Sequence, residues 1–466
     1  MKHSVIEFGG YLSLGGTEKA MQQWSYALQS RGVPVQVAAI SRGLRATELI
    51  ENGIPIISVG DSCSNISEIK PKTTPYVLHM HSSGEEFIGD NLSRSLKKRD
   101  GNNCKIISTN IFGKLDNPKE AEWTDFRLFI SWTSCVQAAR RAGRKLDLDF
   151  FRRQSVAVYP VRDLFNSPAY KYDTKQMERD IRSQRETLGI LPEHILFGRF
   201  SRPEPNKWTP LVLEAFLAAW KVNPSVRLLL REPPAIVVDE LLSKRLAVLL
   251  SESSVMRHSL NAPVVILSAT ADSKELAISQ MACDVILHTS SIGESFGYGI
   301  AEPMAMGKPV IANSVPWHDQ AQIELVRHGE CGLIASTISS MKAAILQMAS
   351  KREPISNSPS SKYIFSEMAQ NARSHILALA DLDESTDRIE MAMRCAIENE
   401  DNPFAEQDLE KALQTAAYLD EHQWGHSFEE QLSLRTTNFK VWLYRWQRKL
   451  RDQFEINRRA NIYAPA

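Results

Sequence analysis

Apolar residues along the chain fall into short runs separated by segments in which they return every three or four positions. The runs Ser4 to Phe8, Val33 to Ile40, Ile56 to Val59, Tyr76 to Met80, Lys105 to Thr109 and Phe126 to Ser131 predict strands, and the first gap brings Met21, Trp24 and Leu28 onto one helix face. A second series starts near His194. Strands are expected at Ile195 to Phe200, Val226 to Leu230, Val264 to Leu267, Val285 to His288 and Val310 to Ala312, with helices over Leu211 to Trp220, Leu241 to Leu250, Leu276 to Met281 and Ser340 to Met348. Such alternation predicts parallel sheets wrapped by helices, hence two Rossmann-like α/β domains. We place their boundary near residue 170, in the stretch holding Asn166-Ser167-Pro168 and the charged run Lys175 to Arg185. The expected domains are therefore residues 1–170 and 171–352. Glu353 to Lys362, rich in Pro and Ser, reads as a linker, and 353–466 as a helical extension without strand runs.

Charge patterning singles out that extension. Residues 398–430 carry ten acids against Lys411 alone, whereas Arg435 to Arg459 carries eight bases against Asp452 and Glu455, interleaved with Phe439, Trp442, Tyr444, Trp446 and Phe454. We expect the extension to pack back on the first domain, with the acidic stretch as an internal electrostatic partner. Peripheral contact of 435–459 with an anionic membrane surface is the alternative.

Over the whole chain, 55 basic and 55 acidic residues cancel, and 43% hydrophobic residues describe an ordinary globular composition, so no nucleic-acid partner is expected. Six scattered cysteines without a Cys-x-x-Cys pair point to neither zinc nor a disulfide framework and suit a reducing cytoplasm. No leader or spanning segment is expected, because no window reaches about 18 apolar residues.

The most informative segment is Gly293-Glu294-Ser295-Phe296-Gly297-Tyr298-Gly299-Ile300-Ala301-Glu302-Pro303, directly after the run Asp284 to His288. A buried strand leads into a glycine-bearing turn and then a helix. Pro303 lacks an N–H and suits a first helical turn, which puts the helix start near Gly299. Free N–H groups at that tip attract phosphate, while Gly297 and Gly299 permit close backbone approach. Glu294 and Glu302, eight residues apart, make sense beside a diphosphate chiefly as acceptors for neutral hydroxyls. Those features suit a nucleotide sugar.

This Glu-x7-Glu pattern, with Phe-Gly inside and the tail Met304-Ala305-Met306-Gly307-Lys308-Pro309-Val310-Ile311, resembles the donor site of retaining glycosyltransferases of the GT-B fold, family 4 (glycosyl transferases group 1). The resemblance implies two Rossmann-like domains facing a cleft. It implies that Glu294 contacts the transferred sugar, that Glu302 contacts the ribose, and that main-chain amides of Phe296, Gly297, Tyr298 and Gly299 touch the diphosphate or sugar. It is sharp from about 194 to 335, faint over 1–165, and does not reach past 353.

Gly198-Arg199-Phe200-Ser201-Arg202-Pro203-Glu204-Pro205-Asn206-Lys207-Trp208 follows the first strand of the second domain and resembles the family's Gly-Arg and Lys-Gly loop, with Trp208 where glycine is usual. Two cations suit a leaving diphosphate. We take Arg202 with Lys207 as that pair, with Arg199 as the other candidate arginine. Gly15-Gly16-Thr17-Glu18 opens a helix behind the first strand and resembles the family's Gly-Gly-x-Glu start, which puts Gly15 and Gly16 in the cleft. A dinucleotide fingerprint fails there, because the glycine spacing is wrong and Ile40-Ser41-Arg42 offers no acid for a ribose.

His79 and His81 alternate onto one side at a strand's carboxyl end; the resemblance favours His81 near the reaction centre, and a metal pair lacks a third ligand spaced nearby. Phe129-Ile130-Ser131 resembles a family strand end, whereas Tyr159-Pro160-Val161-Arg162-Asp163 stands where Asn-Gly-Val-Asp is usual.

The expected function is a metal-independent, cytoplasmic hexosyltransferase that moves a sugar from a nucleotide-diphosphate donor to a glycan, lipid-linked or small-molecule acceptor with retention. The alternatives are a same-fold epimerase or phosphorylase, and a non-catalytic scaffold recruited to partners or a membrane.

Overall fold

Seven strands of the first domain run parallel: Ser4–Phe8 (β1), Val35–Ala39 (β2), Ile56–Ser58 (β3), Tyr76–Ser82 (β4), Cys104–Asn110 (β5), Phe126–Phe129 (β6) and Gln154–Val156 (β7). Their spatial order is β3-β2-β1-β4-β5-β6-β7, so the winding reverses between β1 and β4. The computed structural model describes residues 3–60, 65–82, 88–115, 122–162, 174–201, 207–231, 263–268, 270, 272–350 and 366–437, with 439, 440, 442, 443, 446 and 447. The expected helix at Leu241 to Leu250 and the linker at Glu353 to Lys362 lie outside these residues, as does the expected boundary near 170.

The second domain repeats the plan. Ile195–Phe200 (β8), Val226–Arg231 (β9), Val264–Leu267 (β10), Val285–His288 (β11), Val310–Ala312 (β13) and Gly332–Ile334 (β15) form a parallel sheet in the order β10-β9-β8-β11-β13-β15, reversing between β8 and β11. Gly293–Glu294 (β12) and Asp319–Gln320 (β14) add a two-residue ladder above it. In open sheets of this kind, ligands gather outside the carboxyl ends of the strands at such a reversal. Strands β7 and β15, and the two-residue β12 and β14, were not anticipated.

Alternation along the strands divides the first domain's core. Ile6, Phe8, Leu78, Met80 and Ile106 pack on one face with Leu92 and Leu96, while Val5, Val77, Ile107 and Leu128 pack on the other with Met21, Trp24, Ile389 and Ala392. The second face is thus closed by helix Gly16–Ser30 and by Leu382–Glu398 of the C-terminal extension. Asp381 caps that latter helix by accepting from Glu384 N at 2.8 Å, and Asn399 ends it in the left-handed region at φ 57°.

Polar contacts hold this cover in place. Trp24 Nε1–H donates to Ser385 Oγ at 2.9 Å, and the Ser385 hydroxyl donates to Val158 O at 2.6 Å. Arg388 meets Asp408 at 2.8 Å, and Asp408 also accepts from Ser155 Oγ and Asn402 Nδ2. Arg31 is ion-paired with Asp383, Asp387 and Glu390, and within the acidic stretch Asp401 pairs with Arg152 and Asp420 with Arg140, so arginines of the first domain are partners of that stretch. No helix among the described residues is long and apolar enough to cross a membrane.

The two domains also bond directly. Helix Trp132–Arg141 is capped by Ser131 and Ser134 on its own chain segment, and Glu324 of the second domain accepts from the Thr133 N–H at 2.9 Å. A carboxylate at a helix N-terminus complements the dipole. Ser131 Oγ donates to Ser295 O at 2.7 Å, and Arg141 meets Asp319 at 2.7 Å.

Candidate active site

Helix Tyr298–Ala305 sets the geometry. Its N-cap, Gly297, has φ 101° and ψ 69°, a backbone state that a side chain would strain. Ile300 N–H and Ala301 N–H both donate to Gly297 O, which leaves the amides of Tyr298 and Gly299 at the tip outside the intrahelical ladder. The expected start near Gly299 is one residue late, and Pro303 falls in the second turn rather than the first. Proline survives there because the helix ends within three residues, where Gly307 N–H turns back to Met304 O.

Glu294, on β12 just before the tip, is the centre of a four-residue chain. Lys207 Nζ donates to Oε2 at 2.8 Å, and His288 Nε2 donates to Oε1 at 3.0 Å. His288 Nδ1 in turn faces Arg199 Nη1 at 3.4 Å. Arginine has no acceptor atom, so this contact fixes the neutral histidine tautomer with its proton on Nε2, aimed at Glu294. Burial and the neighbouring Arg199 charge push His288 down to about 4. For Glu294, burial pushes the carboxyl up, but the hydrogen bond from His288 and the Lys207 charge outweigh it and hold the group at about 2.

Arg199 itself is fully enclosed. It donates to Thr289 O at 2.7 Å and to Phe200 O and Lys207 O, and its guanidinium lies over Trp208 at 4.9 Å. The other candidate arginine is therefore turned into the protein, where carbonyls and a histidine meet its two Nη groups. It organises the loop that carries Lys207. Arg202, the preferred diphosphate arginine, lies outside the described residues.

Glu302 stands one turn into the helix and pairs with Lys19 of the first domain. Lys19 belongs to helix Gly16–Ser30, whose N-cap is Gly15. A Cβ on Gly16 would come within 3.0 Å of the Tyr298 ring, so the absence of a side chain lets the two helix tips approach. Tyr298 also stacks on Tyr159 at 6.0 Å, donates to Pro160 O at 3.1 Å and has Lys19 Nζ 5.4 Å from its ring centre. Phe296 is buried edge-on against Tyr159 and Tyr298, at 5.8 and 5.1 Å. The segment where Asn-Gly is usual thus supplies an aromatic floor.

His81 lies in the wall of the first domain, buried on β4 beside His79, with their rings 4.8 Å apart. Trp24 stacks on it at 5.8 Å. The register pairs His79 with Glu7 of β1, and His79 Nδ1 lies 3.1 and 2.9 Å from the two Glu7 oxygens. A third potential ligand therefore does stand beside the two histidines. It was invisible in the sequence because it comes from 72 residues upstream, through strand pairing.

Among the predicted residues, the fold gathers Glu294, Lys207, Phe296, Gly297, Tyr298, Gly299, Glu302, Gly15 and Gly16 around the two helix tips. It keeps Arg199 behind them and His81 under Trp24. His288, Lys19 and Glu7 had not been singled out. The signals that could have found them are the strand-end position of His288 and a cation one helical turn beyond Gly15-Gly16.

Residues 194–351 match the model of a family described as glycosyl transferases group 1. No curated protein matches the chain in sequence. Among solved structures, the fold is similar to that of HepE from Anabaena, crystallised with UDP and glucose, at 19% identity and a TM-score of 0.58 over 83% of this chain and 98% of that one. It is also similar to a glycosyltransferase from Rickettsia africae ESF-5, at 16% identity and a TM-score of 0.63 over 86% of this chain and 100% of that one. A third similarity is to sucrose-phosphate synthase from Thermosynechococcus elongatus, at 16% identity and a TM-score of 0.56, covering 85% and 100% of the two chains. The chain is therefore a protein of GT-B fold whose second domain is similar, over residues 194–351, to the glycosyl transferases group 1 family.

Proposed function

We propose that this chain is a family 4 glycosyltransferase that moves a hexosyl group, with retention, from a nucleotide-diphosphate sugar to an acceptor held mainly by the first domain. The observation that carries the reading is the Lys207–Glu294–His288–Arg199 chain, set beside a helix tip with two amides outside its ladder. A cation, a carboxylate and a dipole end at one place suit a ligand that is both phosphorylated and rich in hydroxyls. The similarity to HepE, a structure holding UDP and glucose, supports a uracil-containing donor.

In this reading the diphosphate takes Lys207 away from Glu294, and Glu294, still oriented by His288, accepts from a sugar hydroxyl. Glu302 leaves Lys19 to accept from the ribose. The bond between the sugar's anomeric carbon and the phosphate oxygen breaks, and the acceptor oxygen bonds to that carbon on the same face. The acceptor's proton passes to the departing phosphate oxygen. Negative charge accumulates on the leaving group, where Lys207, Arg202 and the Tyr298 and Gly299 amides meet it, so transfer at this centre needs no metal. The acceptor is a glycan, a lipid-linked sugar or a small molecule.

The test is a panel of UDP-, GDP- and ADP-sugars, scored by thermal shift and then by product analysis with and without candidate acceptors. A free nucleoside diphosphate and a new α-linked product from an α-linked donor are expected. A changed nucleotide sugar without acceptor would point instead to epimerisation, and failure of every donor to bind would leave a scaffold.

A further inference from the structure

We propose that Glu7, His79 and His81 form a binding site for one divalent transition-metal ion, zinc being the best fit, at the winding reversal of the first sheet. The inference is independent of the transferase reading and concerns a place outside the donor centre. One ligand atom from each residue lies within 4.8 Å of the others, and all three side chains are buried. Their convergence follows from the fold: Glu7 and His79 are register partners on the adjacent strands β1 and β4, and His81, two residues on, shares their face.

Three features favour an ion over an internal hydrogen-bond cluster. First, the cluster leaves acceptors and donors unmet. His81 Nε2 stands 3.4 Å from Glu7 Oε2, neither His81 nitrogen makes a well-formed hydrogen bond among the described residues, and that oxygen meets only the two imidazoles. A buried imidazole with both nitrogens unpartnered is costly, and so is a buried carboxylate facing only imidazoles. A dication answers both. Second, two edges of the ligand triangle are already of the right size: 2.9 Å from His79 Nδ1 to Glu7 Oε2 and 3.4 Å from His81 Nε2 to the same oxygen. Ligands at 2.0–2.1 Å around a tetrahedral ion stand about 3.3 Å apart. Third, Thr109 stands where a metal-bound histidine's outer partner would, 2.6 Å from His79 Nε2. With Nε2–H donating to that hydroxyl, Nδ1 keeps its lone pair, and an ion would take the place of its present contact with Glu7.

The donor set selects the metal. Two imidazoles and one carboxylate suit zinc and its neighbours, whereas magnesium and calcium prefer oxygen throughout. Trp24 lies over both rings, at 5.8 and 5.9 Å, and is itself anchored to Ser385 of the C-terminal extension. The ion would therefore tie β1 to β4 beneath a cover supplied partly by residues far downstream.

The experiment uses the full chain, expressed without a polyhistidine tag, freed of metal with a chelator and then titrated with Zn2+ or Co2+ alone. We expect one equivalent to bind, visible cobalt absorption to appear, and the thermal unfolding midpoint to rise by a few degrees with zinc. Glu7→Gln and His81→Gln should each abolish the cobalt spectrum. Thr109→Val, a milder change that removes only the outer hydrogen bond, should weaken affinity roughly 10- to 100-fold. Wild-type protein that takes up neither ion would overturn the site, and so would stoichiometric binding that survives in Thr109→Val and both ligand variants alike.

Discussion

Lys19, at the end of the first turn of one helix, and Glu302, one turn into another, form an ion pair between different domains. Both side chains keep some solvent exposure, 33% and 18%, so the pair is a weak latch rather than a buried brace. In the proposed reaction the same carboxylate serves the donor's ribose, which makes Lys19 its competitor.

Lys19→Gln should therefore lower the donor KM by about two- to fivefold, the value of one partly exposed pair. Glu302→Gln should raise that KM while leaving the latch equally broken. Steady-state kinetics with the donor varied at saturating acceptor separates the two effects; a Lys19→Gln enzyme with a raised KM would show that Lys19 binds donor instead.

Lys207 is the one described cation that reaches Glu294. Its loss removes both that contact and the charge offered to the leaving diphosphate. Lys207→Ala should reduce kcat about 100-fold, roughly 3 kcal/mol of barrier, and also lower the unfolding midpoint, because it strands the buried Glu294 carboxylate. Near-normal turnover would remove Lys207 from the mechanism.

Acid should weaken the second domain in two steps. His288 is held near 4, below the usual histidine value of about 6.5, because it is buried beside Arg199. Between those values the unfolded chain binds a proton that the folded chain refuses, so stability is full above about pH 6.5 and falls as pH drops toward 4. Glu294, held at about 2, contributes stability above its unfolded value that is lost as pH falls from about 4.5 toward 2. Urea unfolding at pH 7.5, 5.5 and 4 checks the first step, and His288→Gln should flatten the slope between pH 6.5 and 4.

The C-terminal extension should be inseparable from the first domain. Arg388 and Asp408 pair inside the protein, and only 6% and 0% of these residues is exposed. Removing one partner from such a pair strands the other, so Arg388→Ala should destabilise the protein by about 3–5 kcal/mol. Truncation after residue 365 should yield aggregated material, because the sheet face under Trp24 would lose its cover. A soluble, cooperatively folding truncation would contradict this.

Strand period and helix period were enough to predict two parallel α/β sheets, and the spacing of Glu294, Gly297 and Glu302 was enough to predict a glycine-capped helix tip flanked by two carboxylates, because these patterns are local and every residue in them lies within a few turns of chain. Lys207 was also legible, since a basic loop after a strand is a local feature. The tertiary structure decided the rest. That Arg199 turns inward depends on carbonyls of Lys207 and Thr289 and on His288, groups up to 90 residues away. Glu7 meets His79 only when β1 and β4 pair, and Lys19 meets Glu302 only when the domains face each other. Contacts of that kind are fixed by register and docking, which no window of sequence contains.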